Sequence, residues 1–364
     1  MRKVKRRSRF WKYTLVLLLL FIAVAVFAIF RVILEPAGAQ EYDDIPNAVF
    51  IVTPRAETSN ENNEEHYNHA QYQDGELGFE GYEDAEESQD SLEPDSDTFI
   101  LHMTEADIGL GYLVLVNHNH YFERPAPGRL DLAYIENHIT TGFRVLGQNN
   151  LLERSVIPPL DEMMAAFIEE TGNRTVAVIS AFRNRYAQQA ILDDHISRMG
   201  RTEALRWVAI PGYSEHHTGL AFDLGIYTGG VRSTFTGEGV TSWFNRNAPN
   251  FGFILRYPYN RFAITQTAFE PWHFRYVGLP HSLIITQNNI VLEEYIDMMR
   301  RYTPEEPLEF EHNGILYEIF FVAGTEVPIP FNSAFSISGN NADGFIVTIN
   351  RLEIDPYTFI DAYT

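Results

Sequence analysis

Apolar and polar residues divide the chain into segments of different character, and the first segment is strongly apolar. An uncharged run at 15–30 follows a basic cluster at 2–12, and a shorter apolar stretch comes after Arg31. With its aromatic and aliphatic flanks, this run approaches the roughly 20 residues that a membrane-spanning helix needs. Lys and Arg residues keep their side of such a helix in the cytoplasm. The pattern predicts a cytoplasmic segment at 1–12 and a transmembrane anchor at 13–34.

A cleaved signal peptide is the alternative for the same segment. The small residues at 37–39 would suit a processing site, and the mature protein would then be secreted. With the anchor retained, we expect a single pass through the cell membrane and a folded domain on the extracytoplasmic side.

Residues 35–97 have a different composition. They are rich in Asp, Glu, Asn, Gln and Ser, they contain few aliphatic residues, and Arg55 is their one strong base. Such a segment buries too little apolar surface to offset the entropy of ordering it. We expect an acidic, disordered stalk between the membrane and a folded domain.

Periodic patterns begin near residue 98 and indicate both helices and strands. Gly172 and Gly200 supply helix ends. Strands and helices mix without regular βαβ alternation, which predicts an α+β fold at 98–303 with helices around a small, largely antiparallel sheet. The predicted elements are a strand at 113–116, a helix at 161–171, a strand at 175–180 and a helix at 187–199.

The C-terminal segment follows a last predicted helix at about 290–302. Strand patterns at 315–323 and 344–349 are separated by turns of Pro, Asn, Ser and Gly. We predict a small all-β module at 304–364 with no catalytic constellation of its own. A binding role and a shielding role are both compatible with this pattern.

Charge and cysteine content limit the chemistry. The formal net charge is −22, and most of the acidic excess lies in the predicted stalk. Phosphate binding needs a basic face, and the sequence shows none after the first dozen residues, so we expect no nucleic-acid partner. The chain has no cysteine, which leaves His and carboxylate side chains as the candidate metal ligands.

Two short stretches supply those ligands. One is Ser-Glu-His-His-Thr-Gly-Leu-Ala-Phe-Asp, which ends at Asp223, and the other is Glu-Pro-Trp-His, which ends at His273. A catalytic zinc takes three protein ligands and keeps a fourth position for water. His216, Asp223 and His273 fit the ligand role, which leaves Glu270 as a general base.

The local patterns support this assignment. Apolar residues alternate with Asp223, which places the carboxylate on the face of a strand opposite the core. Gly219 lets the chain bend ahead of that strand. His273 begins a second alternating pattern, and Pro271 supplies the bend that brings Glu270 to the same side.

These stretches resemble the motif pair of the VanY-type zinc D-alanyl-D-alanine carboxypeptidases and the related dipeptidases. Ser-x-His-x-x-Gly-x-Ala-x-Asp is followed by Glu-x-x-His, and further matches at 113–117, 180–188 and 251–258 follow the family's order. The resemblance covers roughly residues 99–300, and the joint match is more specific than either motif alone. The sequence departs from the family at 181–182, where Ala-Phe replaces the usual Gly-Tyr, and at His217, where Gln is common.

The resemblance implies a role for several residues. His217 is expected to pack beside the site, and His195 and His281, outside any ligand spacing, are expected on the surface. The implied zinc ligands are His216, Asp223 and His273, the implied catalytic residues are Glu270 and Arg183, and the implied substrate-binding residues are Ser214 and Gln188.

The expected protein is a membrane-anchored zinc metallopeptidase that removes the C-terminal D-Ala from peptidoglycan stem peptides ending in D-Ala-D-Ala. Glu270 would activate a water at zinc for attack on the scissile carbonyl. A related peptidoglycan zinc endopeptidase and a D,D-dipeptidase stay open as alternatives. A non-catalytic wall-binding module is a weaker alternative, because such a module has no need of Glu270.

Overall fold

The computed structural model of the protein describes Phe50–Ile51 and residues 98–126, 128–147 and 150–351. The predicted anchor at 13–34, nearly all of the predicted stalk and the last residues of the chain lie outside this part. Among the described residues, no helix is long and apolar enough to cross a membrane.

Short helices and strands follow one another irregularly along the described chain. The helices are α1 Ile157–Thr171, α2 Arg185–Met199, α3 Arg201–Ala204, α4 Ser242–Asn247, α5 Phe262–Thr265, α6 His281–Gln287 and α7 Leu292–Met299. The strands are β1 Phe50–Ile51, β2 Thr98–His102, β3 Leu132–Tyr134, β4 Arg144–Val145, β5 Leu151–Glu153, β6 Val176–Ser180, β7 Ala221–Thr228, β8 Val231–Thr234, β9 Phe253–Leu255, β10 His273–Tyr276, β11 Leu308–His312, β12 Ile315–Ala323, β13 Glu326–Pro330, β14 Ala334–Gly339 and β15 Gly344–Arg351.

The central sheet has the strand order β4-β6-β7-β10-β9, with β8 also paired to β7. The pair β4–β6 is parallel, and the other pairs of this sheet are antiparallel. The prediction of an α+β fold with a small, largely antiparallel sheet is therefore confirmed. The strand and helix predicted at 175–180 and 187–199 correspond to β6 and α2.

Helix α1 covers one face of the central sheet. Its buried Met164 and Phe167 belong to the same core cluster as Phe222 of β7 and Phe274 of β10. The rings of Phe222 and Phe274 stack with their centroids 6.1 Å apart. Because successive side chains of a strand alternate between faces, the residues next to these phenylalanines lie on the opposite face of the sheet.

The C-terminal strands β11, β12, β14 and β15 form a second sheet, in which the short β1 from the segment predicted as the stalk pairs with β14. The strand order is β1-β14-β15-β12-β11. Ile319 of β12 and Ile346 of β15 share a core cluster with Leu292 and Ile296 of α7. Strand β2, which lies in the segment predicted as the catalytic domain, pairs antiparallel with β13. The C-terminal β segment therefore shares both a core and a strand pair with the part of the chain that precedes it.

The prediction of a strand at 113–116 is wrong, because this buried segment has an irregular backbone. The Leu113 N–H donates to Ser338 Oγ over 2.8 Å, and the Leu115 N–H donates to the Asn340 carbonyl over 3.1 Å. These amides thus pair with the end of β14 and with the turn that follows it, in place of a strand ladder. The apolar run indicated burial correctly, and it did not determine the backbone conformation.

His281, expected on the surface, is buried. Its Nδ1 lies 2.6 Å from the Tyr295 hydroxyl and its Nε2 lies 3.1 Å from Thr348 Oγ1. Burial lowers the pKa of His281 to about 3, so the ring is neutral and connects α6, α7 and β15. The helix predicted at 290–302 is the shorter α7.

Candidate metal centre and active site

Two neighbouring strands carry a carboxylate and an imidazole that could both serve as metal ligands. Strands β7 and β10 pair antiparallel with Asp223 directly opposite His273. Phe222 and Leu224, on either side of Asp223, are buried in the core. Asp223 therefore faces away from the core, and His273 begins a strand, as the two alternating patterns predicted.

His216 belongs to the short 3-10 helix Glu215–Thr218 that precedes β7. This helix ends at Gly219, whose φ of +75° lies in the left-handed region. A Cβ at this position would lie 2.5 Å from the Leu132 side chain and 3.0 Å from the Glu153 nitrogen. The bend thus requires glycine for its backbone conformation and for its space.

His216, Asp223 and His273 come together in one cluster. Their donor atoms lie within 4.8 Å of one another, the spacing of a group that could hold a metal ion. Asp223 Oδ1 lies 3.0 Å from His273 Nδ1, and Asp223 Oδ2 lies 3.5 Å from His216 Nε2. The two imidazole rings meet edge to face with centroids 4.9 Å apart.

His216 presents a buried nitrogen that a metal would suit. Its Nδ1 lies 2.6 Å from the Ala181 carbonyl oxygen, so Nδ1 carries the proton and Nε2 keeps its lone pair. Nε2 is buried and makes no hydrogen bond within the described part of the chain. An unsatisfied buried polar atom costs about 1–3 kcal/mol, and a cation at Nε2 would remove that cost. Burial also lowers the pKa of His216 to about 4, which favours the neutral ring.

The charges around His273 compensate one another. Burial acts to lower the pKa of His273, but hydrogen bonds with Asp223 and Glu215 raise it to about 9. Burial acts to raise the pKa of Asp223, but the neighbouring His216 and His273 hold it well below its usual value. A metal cation would take the place of one imidazole proton, because ligands bind in their deprotonated form.

Glu270 lies beside this cluster. Its Oε2 is 3.9 Å from His273 Nδ1, and the side chain is buried. The backbone N–H of His273 donates to the backbone carbonyl of Glu270 over 3.2 Å. This hydrogen bond closes the bend that the sequence predicts at Pro271. Burial raises the pKa of Glu270 to about 8. A carboxyl group with a raised pKa can both accept and return a proton near neutral pH.

Arg183 reaches the edge of the cluster from the loop after β6. Its Nη2 lies 3.9 Å from Asp223 Oδ2, and its buried Nε makes no hydrogen bond with the described residues. The imidazole of His217 lies behind it, with Nδ1 2.5 Å from the Arg183 carbonyl and Nε2 accepting from the Gly212 N–H over 3.0 Å. These contacts fit the packing role expected for His217.

Gln188 and Ser214 are both buried. The Gln188 Nε2 donates to the Ala209 carbonyl over 2.7 Å, while its Oε1 makes no hydrogen bond within the described residues. Ser214 directly precedes the 3-10 helix that carries His216, and its carbonyl accepts the His217 N–H over 3.1 Å.

The sequence interpretation missed a buried group of charges next to His273. Glu215 Oε1 accepts from Arg256 Nε and from Arg275 Nη1, each over 2.7 Å. Burial acts to raise the pKa of Glu215, but the two arginines hold it well below its usual value. A signal was present in the sequence, since Arg256 and Arg275 each stand in an apolar strand pattern, but it did not identify their partner.

The fold and the site together define a class. A buried His-Asp-His cluster on an antiparallel sheet, with a further carboxyl group beside it, is typical of a metal-dependent hydrolase. The Glu270 carboxyl group and the Arg183 guanidinium both lie close to these three candidate ligands.

Comparisons with known proteins identify the family. The family model VanY, D-alanyl-D-alanine carboxypeptidase, matches residues 149–279. A D-alanyl-D-alanine carboxypeptidase of Enterococcus faecium is 33% identical over 252 residues, which cover 68% of this chain and 78% of that protein. The bifunctional D-Ala-D-Ala dipeptidase and D-Ala-D-Ala carboxypeptidase VanXYC of Enterococcus gallinarum is 31% identical over 193 residues, 51% of this chain and 94% of that protein.

A solved structure agrees with these relatives. The vancomycin resistance D,D-dipeptidase VanXYg, in complex with a D-Ala-D-Ala phosphinate analog, is 34% identical with a TM-score of 0.63, covering 70% of this chain and 99% of that one. The chain belongs to the VanY-type D-alanyl-D-alanine carboxypeptidase family and is a carboxypeptidase, a hydrolase.

Alanine substitution of the three clustered donors tests the metal centre. We expect His216→Ala, Asp223→Ala and His273→Ala each to lose most of the bound zinc, because each removes one of three protein ligands. Atomic absorption on the purified chain measures the metal content. His195→Ala is the control, since that ring contacts the Ile191 carbonyl within α2. Stoichiometric zinc in a variant that carries all three substitutions would contradict the assignment of these residues as metal ligands.

Proposed function

We propose that this protein is a zinc D,D-carboxypeptidase that removes the C-terminal D-Ala from peptidoglycan stem peptides ending in D-Ala-D-Ala. The observation that carries the proposal is the cluster of His216, Asp223 and His273 with Glu270 beside it. Membership of the VanY-type family supports the choice of bond and of substrate class.

The donor set favours zinc. Two imidazoles and one carboxylate match the ligands of catalytic zinc sites, where a fourth position is kept open. The buried Nε2 of His216, which makes no hydrogen bond among the described residues, supports a resident cation at this place. A zinc ion held by these three residues would supply a Lewis acid that polarises the scissile carbonyl and lowers the pKa of water.

Glu270 acts as the proton carrier in this mechanism. It lies close to His273 without belonging to the three-donor cluster, so its carboxylate remains available for chemistry. As general base it accepts a proton from the attacking water, and it then donates that proton to the amine that leaves when the peptide bond breaks. Its burial limits the contact of the carboxyl group with bulk water.

Arg183 places a positively charged guanidinium group at the edge of the site. A fixed guanidinium can donate two hydrogen bonds to an oxyanion or a carboxylate. The buried Nε of Arg183 makes no hydrogen bond to any residue that the structure describes, which supports this role. Ser214 and Gln188 hold the C-terminal part of the substrate. The family motif supports both assignments, and for Gln188 so does its Oε1, which makes no hydrogen bond within the described part of the chain.

The proposed location is the outer face of the cell membrane. The basic cluster at 2–12, the apolar run at 15–30 and the acidic composition of 35–97 support a single anchor followed by a stalk. The catalytic domain at 98–303 and the β-rich segment at 304–364 would then meet wall peptides directly.

A D,D-dipeptidase is the second candidate. The observation in its favour is the similarity to the D,D-dipeptidase VanXYg, which this chain matches over 99% of that protein's length. The two activities differ in the substrate on the amine side of the scissile bond, where a dipeptidase accepts a free amino group.

The substrate test separates these two candidates. We expect kcat/KM for a pentapeptide stem to exceed that for free D-Ala-D-Ala, because the longer peptide offers extra contacts whose binding energy can act in the transition state. Mass spectrometry of the products gives both rates. A clear preference for the dipeptide would assign the chain to the dipeptidase branch.

The role of Glu270 is tested by Glu270→Gln. We expect this variant to keep its zinc and to lose about a hundredfold to ten-thousandfold in kcat, the usual range for loss of a general base. Metal content and turnover are measured on the same preparation, and His195→Ala is again the control. Turnover at the parental rate would show that Glu270 is not the proton carrier.

Protease treatment of intact cells tests the location. We expect cleavage within 35–97 to release an active soluble fragment while the N-terminus stays protected. A mature protein that begins near Gln40 would show instead that the apolar run is a cleaved signal peptide.

A further inference from the structure

Glu215 lies at the ring nitrogen of His273 that does not face Asp223. Its Oε2 is 3.4 Å from His273 Nε2, while His273 Nδ1 is 3.0 Å from Asp223 Oδ1. The side chain of Glu215 is fully buried, and so are those of its partners Arg256 and Arg275.

The two arginines determine the state of this carboxylate. Arg256 Nε and Arg275 Nη1 each donate to Oε1 over 2.7 Å. A buried carboxyl group that accepts from two guanidinium groups is ionised, and an ionised carboxylate can only accept hydrogen bonds. The ring nitrogen that faces Glu215 must therefore carry a proton.

A neutral imidazole has one N–H group. Both ring nitrogens of His273 face a carboxylate, so the ring without a metal donates from both of them. Asp223 is itself a candidate ligand, so a bound cation would replace the proton on Nδ1, the nitrogen that faces Asp223 and Glu270, and the proton on Nε2 would stay with Glu215. The lone pair of His273 would then lie on Nδ1. His216 has the opposite arrangement, because its Nδ1 faces the Ala181 carbonyl and its Nε2 faces the cluster.

We propose that Glu215 is a positioning residue that holds His273 in the tautomer offering Nδ1 to the metal. The inference rests on the proposed function, in which His273 is a metal ligand. Partners that bond the outer nitrogen of a ligating histidine fix its tautomer and orientation, and their loss typically lowers metal affinity about 10–100-fold.

Glu215 is itself held by residues distant in the sequence. Arg256 donates through Nη1 and Nη2 to the two carboxylate oxygens of Glu293 on α7, over 2.9 Å and 2.7 Å. Arg275 Nη2 donates to the carbonyls of Tyr112 and Val114, each over 2.9 Å. The position of Glu215 therefore depends on α7 and on the loop at 112–114.

Hydrogen bonds to the C-terminal sheet hold the loop at 112–114 in place. The Leu113 N–H donates to Ser338 Oγ over 2.8 Å, and Asn341 Nδ2 donates to the Leu115 carbonyl over 2.8 Å. The end of β14 and the turn that follows it thus support the loop that bonds Arg275. Through these contacts the C-terminal β segment contributes to the support of His273.

Nuclear magnetic resonance on the unmodified full chain tests the tautomer directly. We would load the ¹⁵N-histidine-labelled protein with ¹¹³Cd²⁺ and identify the ring nitrogens that couple to cadmium. We expect one Nδ1 coupling, from His273, and one Nε2 coupling, from His216. Two Nε2 couplings would overturn the inference while leaving the metal site in place. No histidine coupling at all would reject the proposed metal site and the inference with it.

Glu215→Gln adds a second readout. We expect zinc affinity, measured by competition with a chromophoric chelator, to fall about 10–100-fold. Asp161→Asn is the matched control, because Asp161 is also a buried carboxylate but bonds Thr140 and Thr141 instead of this network. Parental affinity in a folded Glu215→Gln variant would overturn the inference. If that variant does not fold, the cadmium spectrum of the parent protein decides.

His273→Ala separates the two claims. Loss of zinc in His273→Ala with normal affinity in Glu215→Gln would reject the positioning role and keep the proposed function. Retention of zinc in His273→Ala would reject the metal site on which the positioning role depends.

Discussion

The register between β7 and β10 is the constraint on which the candidate site depends. It places Asp223 opposite His273 on one face of the sheet, while Phe222 and Phe274 pack into the core on the other face. A slip of one residue would exchange the two faces and turn Asp223 into the core. The burial of the aromatic side chains therefore also fixes the positions of two candidate ligands. The bend at Gly219 then brings His216 to the same face.

A buried network of charges forms the second level of support. Glu215, Arg256 and Arg275 are fully buried, and removing one partner of a buried ion pair typically costs about 3–5 kcal/mol. Well-packed apolar side chains often replace such pairs without loss of stability, so the network is better understood by its position than as a source of stability. It joins the outer ring nitrogen of His273 to α7 and to the loop at 112–114. The C-terminal sheet fastens this loop, which makes the β segment part of the framework around the site.

Local patterns predicted much of the sheet and of the candidate site. The alternation around Asp223 and the strand start at His273 depend on neighbouring residues, and the structure has both. The irregular segment at 113–116 and the burial of His281 were not predicted. Leu113 bonds a side chain 225 positions away, and His281 bonds one 67 positions away. Such contacts depend on how distant segments meet, and no local periodicity contains that information. For the same reason the sequence shows Glu215 within a motif but does not identify Arg256 and Arg275 as its partners.

We propose that His216, Asp223 and His273 bind one zinc ion, with Glu270 left free beside it. Anomalous X-ray diffraction at the zinc absorption edge, on crystals of the zinc-loaded protein, tests this claim most directly. We expect one strong anomalous peak within bonding distance of His216 Nε2, a carboxylate oxygen of Asp223 and His273 Nδ1, at about 2.0–2.2 Å from each. A zinc ion bound by other residues, a zinc ion with Glu270 among its ligands, or no anomalous peak at this cluster would contradict the proposed site.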